Sequence, residues 1–348
     1  RIEMIKFDND YSRSAHPKII EALSKDMHNS YAGYGLDSWC ERASEEIRKA
    51  IGRPNADIHY FIGGTQTNMT VIDIALRSFE GVISADTGHV NVHETGAIEF
   101  TRHKVIALPS KDGKITADQI REQGVLKVHN PTPGHVVEPK MVYISQPTEL
   151  GTLYSKLELE AIRTACTEFG FYLFLDGARL SYALASPHSD VDLKCLASNC
   201  DVFYIGGTKC GALFGEAVVI LNDELKPHFF SYQKQHGALL AKGWLLGLQF
   251  YTLFKNNLYT EIAKPAVKMA LDIKATMLSK GIRLAVDSPT NQQFFIMTLE
   301  QIKALSDKYM LSEIETVDES HKCMRLCTAW YTDQKDVESF TEAVITLL

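Results

Sequence analysis

Apolar residues along this chain switch between two spacings. Short, nearly continuous runs at Ile58–Ile62, Val82–Ala85, Lys104–Leu108, Met141–Ser145, Phe171–Leu175 and Val202–Ile205 read as strands. Between them apolar positions recur at helical spacing over Met69–Phe79, Thr116–Gln123 and Lys156–Phe169. In the last of these, Leu157, Leu159, Ile162 and Ala165 carry the pattern. Upstream, Ile19, Ile20 and Leu23 mark a helix over Pro17–Met27, entered through His16-Pro17, and another runs from about Asp37 to Ile51. Strand and helix thus alternate from residue 58 to about 220, which predicts a mainly parallel sheet covered by helices on both faces.

After Leu221 the pattern changes. Helical material covers 223–255 and 260–280. Short strands follow at Arg283–Val286, Phe294–Met297 and Met324–Thr328, interleaved with helices near 299–309 and 334–347. The expected class is α/β. Residues 1–250 would form an N-terminal arm and a large domain, and residues 251–348 a small α+β domain closing over it. There is no internal repeat or low-complexity segment.

Composition narrows the picture. At 348 residues, 45% hydrophobic and 23% charged, the chain has the make-up of a globular protein with room for two domains. A net charge of −7 argues against general nucleic-acid binding and provides no basic face for a membrane. No run reaches the roughly 18 apolar residues of a membrane span, and no charged-then-apolar leader opens the chain. Whether residues 1–3, ahead of Met4, are native is open. The seven cysteines include no CxxC pair, so scattered reduced thiols in a cytoplasmic protein are expected. Cys210 reads as a small packed hydrophobe, and Cys323 with Cys327 lies in a strand-like pattern unsuited to zinc. His129, His135 and Glu138 sit in a Pro-rich stretch, 124–139, read as a solvated excursion and not as a metal site.

Four groups stand at predicted strand ends, where open α/β sheets carry their ligand-binding residues. Gly63-Gly64-Thr65 opens a helix whose free N–H groups would suit an anion, although it is neither GxGxxG nor a Walker loop. His89 follows the strand Val82–Ala85. Asp176 closes an entirely apolar strand and needs a cationic or hydrogen-bonding partner to stay charged. Lys209 lies in DVFYIGGTKCGALFGE (201–216), between an apolar strand and glycines. Read alone, that stretch fits either a surface-loop lysine or a desolvated amine of lowered pKa, the nucleophile that Schiff-base chemistry requires. Together the four suit pyridoxal 5'-phosphate: a lysine to bond it, an aspartate for its ring nitrogen, a turn for its phosphate and an imidazole for its ring face.

At this point the chain resembles the L-threonine aldolase group of the β-eliminating lyase family, among the pyridoxal-phosphate enzymes of the aspartate-aminotransferase fold. The resemblance is carried by FDND (7–10), YAGYGLD (31–37), GGTQTN (63–68), ADTGHVNVHETGA (85–97), SQPTELGTLY (145–154), DGARL (176–180), IGGTKCG (205–211) and MRLCTAW (324–330), in that order. It implies a seven-stranded large-domain sheet. It implies that Lys209 is the Schiff-base lysine, that Asp176 pairs with the cofactor's ring nitrogen, and that His89 stacks on the ring and relays protons. Gly64, Thr65 and Gln66, with Thr208 nearby, correspond to the phosphate-binding turn. Arg179, also placed in the cofactor-binding set, and Arg325 correspond to arginines that grip the substrate carboxylate, with Asn9 beside them; for either arginine a surface ion pair is the alternative.

The implied reaction is retro-aldol cleavage of a β-hydroxy-α-amino acid, L-threonine or L-allo-threonine, to glycine and an aldehyde. β-Elimination or transamination on the same scaffold, and a non-catalytic binding protein with a relic site, are the alternatives. Two departures stand out. Asn9 replaces the usual serine, and Gln146-Pro147-Thr148-Glu149 stands where typical members carry a histidine. If that histidine helps remove the hydroxyl proton, this chain uses His89, water or another group. The resemblance further implies a homodimer or homotetramer with shared active sites, for which Tyr31–Asp37 and Lys234 are the groups expected to reach a neighbour. No metal is expected.

Overall fold

The computed structural model describes residues 4–348; the question of residues 1–3 lies outside them. Seven strands make the large sheet: β1 (Asp57–Phe61), β2 (Glu80–Ala85), β3 (Lys104–Leu108), β4 (Glu138–Ser145), β5 (Tyr172–Asp176), β6 (Val202–Gly206) and β7 (Glu216–Ile220), in the spatial order β1-β7-β6-β5-β4-β2-β3. The pairs from β3 through to β6 are parallel. β7 alone is reversed, pairing antiparallel with β6 on one side and β1 on the other. The sequence pattern does not separate β7 from its surroundings, because a strand that returns directly beside its neighbour lacks the helix that marks each earlier crossover.

Strand residues divide between two cores, as a period of two requires. Ile83, Val142, Leu173, Leu175, Phe203 and Ile205 belong to one cluster. Val82, Met141, Tyr143, Phe174, Val202 and Tyr204 belong to the other. Helices cover both faces. α1 (Gly64–Ala75), α2 (His89–Val92), α3 (Ala117–Val128) and α4 (Lys156–Phe169) follow the first strands. α4 starts where the Ser155 side chain accepts from Glu158 N–H and the Glu158 side chain returns the bond, a capping box. α3 runs five residues past its expected end, so the Pro-rich excursion is shorter than read. α1 starts at Gly64, not Met69, so the Gly-Thr segment is the helix's first turn and not a loop before it.

The expected helical region 223–255 is broken. A short helix, Phe229–Gln235, ends before Gly237, which adopts φ +68°, and α5 (Trp244–Phe254) begins afresh. α6 (Ala263–Ser279) then leads into a four-stranded antiparallel sheet of β8 (Arg283–Val286), β9 (Gln292–Thr298), β10 (Ser312–Thr316) and β11 (His321–Cys327), ordered β10-β11-β9-β8. β10 was not expected; most of it is exposed, so it has no apolar alternation to read. α7 (Gln334–Leu347) packs behind this sheet, and Met269, Ile273, Phe295, Leu326 and Phe340 form its core. Phe7 joins that core because the arm's Ile5–Lys6 pairs with Tyr309–Met310. Among the described residues no helix is long and apolar enough to cross a membrane, and no cluster of His, Cys, Asp or Glu could hold a metal.

The ends of β5 and β6 meet more closely than side chains allow. A Cβ on Gly177 would lie 2.0 Å from the backbone oxygen of Tyr204, and Gly206 N–H donates to Gly177 O at 2.9 Å. This contact sets the spacing between Asp176 and the Lys209 turn. Gly177→Ala is therefore expected to cost about 3 kcal/mol or more, since the obstacle is backbone and cannot rotate away. Chemical denaturation measures it; a loss below about 0.5 kcal/mol, the range of neutral surface changes, would sink the argument.

Candidate active site

Because β1 to β6 run one way and β7 the other, the C-terminal ends of six strands and the first residue of β7 share one edge. The chain leaves β1 into Gly63-Gly64, β2 toward His89, β4 toward Glu149 and β6 toward Lys209, while Asp176 is itself the last residue of β5. These groups surround a cavity of about 210 Å³. Gly64, Thr65, His89, Asp176, Arg179 and Lys209, all singled out in the sequence, line it.

Lys209 is half-buried and makes no ion pair among the described residues. Burial, reinforced by the positive charge of Arg179, holds its pKa below the ordinary lysine value despite Asp10, Asp176 and Glu216. The surroundings thus work against the ammonium form, the direction a nucleophilic amine requires. Asp176 is buried and fully engaged. Oδ2 accepts from Tyr143 OH at 2.6 Å and Asn68 Nδ2 at 3.1 Å, and Oδ1 accepts from Ala178 N–H at 2.9 Å. Three donors make a buried carboxylate tenable. His89 shows a third of its side chain to the cavity, and its Nδ1 lies 2.7 Å from Glu94 Oε1. Burial disfavours the imidazolium, but the Glu94 hydrogen bond and the charge of Asp176 outweigh it and raise the pKa. Gly63 offers α1 no side-chain cap, so the first N–H groups of the helix stay free at the cavity wall. A Cβ on Gly64 would come within 3.0 Å of Tyr204 OH, so glycine there lets the wall close up.

Other predicted residues stand differently. Arg179 reaches the cavity already paired: Nε and Nη2 donate to Asp10 Oδ2 and Oδ1 at 2.6 and 3.0 Å, leaving Nη1 without a hydrogen bond among the described residues. The pair is mutual. Burial opposes both charges, yet each partner's pKa moves toward its charged form, Asp10 down and Arg179 up. Arg325, on β11, does not line the cavity; its Nη2 donates to Asp8 O at 3.0 Å and its buried Nε has no partner. Asn9 does not reach the cavity either. Its Nδ2 donates to Asp8, and its Oδ1 accepts from Tyr11 N–H and Ser12 Oγ, so the side chain closes its own turn. Gln66 turns away as well, its Nε2 donating to His236 O at 3.2 Å. Thr208 lines the cavity, but its hydroxyl already donates to Glu216 Oε1 at 2.9 Å and accepts from Gly215 N–H at 3.0 Å.

Several site groups escaped the sequence reading. Asn68, Glu94 and Tyr143 support Asp176 and His89, and nothing in their spacing marks them. In the FDND motif (7–10) it is Asp10, and not Asn9, that reaches the site. Glu216 is buried at the mouth of β7, its Oε2 accepting from Gly207 N–H at 3.0 Å, and burial lifts its pKa to about 7.

The family model for the beta-eliminating lyases matches residues 13–309. A low specificity L-threonine aldolase of Pseudomonas sp. is 30% identical over 308 residues, 87% of each chain. The structure of a Leishmania major threonine aldolase superimposes with a TM-score of 0.96 at 46% identity, covering 99% of both chains. An aspartate aminotransferase of Thermus thermophilus, 14% identical, matches all of this chain and 92% of its own with a TM-score of 0.73, a likeness of fold alone. With the sheet order, the shared edge and its lysine and aspartate in view, the chain belongs to the beta-eliminating lyase family.

Proposed function

We propose that this chain is a lyase that cleaves a β-hydroxy-α-amino acid, L-threonine or L-allo-threonine, to glycine and an aldehyde with pyridoxal 5'-phosphate as cofactor. The observation that carries the reading is the unpaired, half-buried amine of Lys209 facing one cavity with Asp176, His89 and the uncapped start of α1. The relatives named above are threonine aldolases and point to the same substrate class. The residues present fit the cofactor. Lys209 would bond its aldehyde carbon, Asp176 would hold the ring nitrogen, His89 would lie against the ring, and the Gly64 and Thr65 N–H groups would bind the phosphate. When bound, the cofactor supplies an electron sink for the bond broken at Cα.

The protein's own part is orientation. The Nη1 of Arg179, which makes no hydrogen bond among the described residues while Asp10 holds Nε and Nη2, would grip the substrate carboxylate, the arm acting through Asp10 instead of Asn9. Gripping the carboxylate takes the Cα–carboxyl bond out of line and leaves Cα–H and Cα–Cβ, of which the proposed reaction aligns and breaks Cα–Cβ. Asn68 and Tyr143 donate to Asp176 and hold its carboxylate in place, and the Glu94 hydrogen bond raises the pKa of His89.

A neighbouring copy of the chain is part of the proposal, as a homodimer or homotetramer. Leu36 is 71% exposed and Tyr34 42%, with Lys234 Nζ 4.4 Å over the Tyr34 ring, so the loop and the lysine expected to reach a neighbour meet on one apolar surface. Described cysteines are all free thiols, in keeping with the cytoplasm.

Three outcomes are expected. Supplied with cofactor and L-threonine, L-allo-threonine, the D-isomers or L-serine, the protein yields glycine and aldehyde from the L-β-hydroxy acids. Ammonia and a keto acid would point to elimination or transamination, and no turnover to a relic site. Lys209→Ala loses the visible absorbance of the bound cofactor and cuts cleavage by more than about a hundredfold, the least that a lost proton-transferring group costs. Leu36→Asp yields a smaller species than wild type in sedimentation; unchanged mass counts against the interface.

The pH dependence follows from Glu216. Its folded pKa, about 7, stands above the ordinary 4.5 because it is buried, so the folded chain holds this proton more tightly than the unfolded one. Stability from this group is greatest below about 4.5 and declines as pH rises toward 7. Glu216→Gln is expected to flatten stability over that window, read from urea midpoints at several pH values; an unchanged slope would refute it.

A further inference from the structure

Three carboxyl groups line the cavity: Glu149, Asp176 and Glu216. Two are fully committed. Asp176 accepts from Ala178 N–H, Asn68 and Tyr143 with its two oxygens. Glu216 accepts from Gly207 N–H with one oxygen and the Thr208 hydroxyl with the other. Glu149 differs. Its Oε1 takes both donors available to it, His89 N–H at 3.0 Å and Ser145 Oγ at 2.7 Å, and its Oε2 accepts from none of the described residues. Among the cavity-lining carboxyls it alone keeps a free oxygen.

We propose that Glu149 is the base that takes the β-hydroxyl proton of the substrate, an assignment that rests on the retro-aldol reading above. The proton passes from the substrate O–H to Glu149 Oε2. The released O–H pair becomes the second bond of the aldehyde C=O as the Cα–Cβ bond breaks. That bond's electron pair goes to Cα and the electron sink, and Cα then gains a proton to give glycine. Glu149 gives its proton back to the medium, so what the hydroxyl loses the product amino acid regains. No oxidant or further reactant is needed.

The surroundings suit the task. The two donors on Oε1 fix the plane of the carboxylate and leave Oε2 as the place for an incoming proton. Burial raises the pKa of Glu149 above the ordinary glutamate value, with the charge of Asp176 adding to the rise and the Ser145 hydrogen bond opposing it. A carboxylate shifted this way is a better-matched base near neutral pH. His89 is the obvious rival and is poorly suited. Its Nδ1 is occupied by Glu94 and its pKa is raised, so it tends to hold a proton and not to accept one. Glu149 also stands in the motif where typical threonine aldolases carry a histidine, so the departure in sequence coincides with a group able to do the work.

Glu149→Gln tests the assignment, because an amide oxygen still accepts from His89 N–H and Ser145 but cannot take a proton. Two companion readings separate chemistry from shape. One is cofactor affinity, by absorbance titration of the unloaded protein. The other is exchange of the glycine α-proton with deuterated solvent, which uses the same site but no hydroxyl. The expected result is a fall in kcat for L-allo-threonine cleavage of about 10²- to 10⁴-fold, with affinity and glycine exchange as in wild type. Cleavage at the wild-type rate in E149Q overturns the proposal, and so does an equal loss of cleavage and glycine exchange, which would make Glu149 a support for His89. A wild-type protein that exchanges glycine but releases no aldehyde overturns the retro-aldol reading itself, a result distinct from either.

Discussion

One side-chain amide holds the site together. Asn68 Nδ2 donates to Glu94 Oε1 at 2.7 Å and to Asp176 Oδ2 at 3.1 Å, so a single donor group spans two buried carboxylates. Two carboxylates this close repel each other in a low-dielectric setting. The amide screens that repulsion and ties together three separate pieces of chain: the second turn of α1, the segment after β2, and the end of β5. The orientation of His89 depends on Glu94, the charge of Asp176 on its donors, and the position of the free N–H groups on α1. All three functions therefore lean on one residue of the cavity lining.

A second tie works across the fold. Asp10 from the arm accepts from Arg179, next to the end of β5, and from Asn291 Nδ2 at 3.0 Å, just before β9. Asn291 also donates to Thr328 O at 2.8 Å, immediately after β11. The arm thus meets the large sheet and the small one at the same buried carboxylate. Arg179 gains direction from this, since a guanidinium held on two nitrogens can point the third only one way.

Much of this arrangement was legible in the sequence, for a physical reason. A charged residue at the end of an apolar strand is costly, so Asp176 and Lys209 announce themselves by their surroundings, and His89 and the Gly-Gly-Thr turn gain meaning from sharing that position. Asn68 and Glu94 carry no such signal. A polar residue in a helix or a loop is ordinary, and only the folded distances reveal what it touches. Asn9 and Gln66 show the converse. Asn9 spends its side chain in its own turn while its neighbour Asp10 goes to the site, and Gln66 donates to a carbonyl 170 positions away, that of His236. β7 and β10 were missed because strand reading relies on contrast with flanking helices or on alternation, and neither strand offers it.

The buried Asp10–Arg179 pair has a bearing on how this protein can be handled. An extended arm lying outside both sheets looks like a place where a proteolytic nick would be tolerated. Here Asp10 is wholly buried and is bonded to Arg179, 169 positions further along the chain. Clipping the arm there would leave the largely covered guanidinium of Arg179 without its partner at the cavity wall, so a cut that looks peripheral on a gel would act on the site itself.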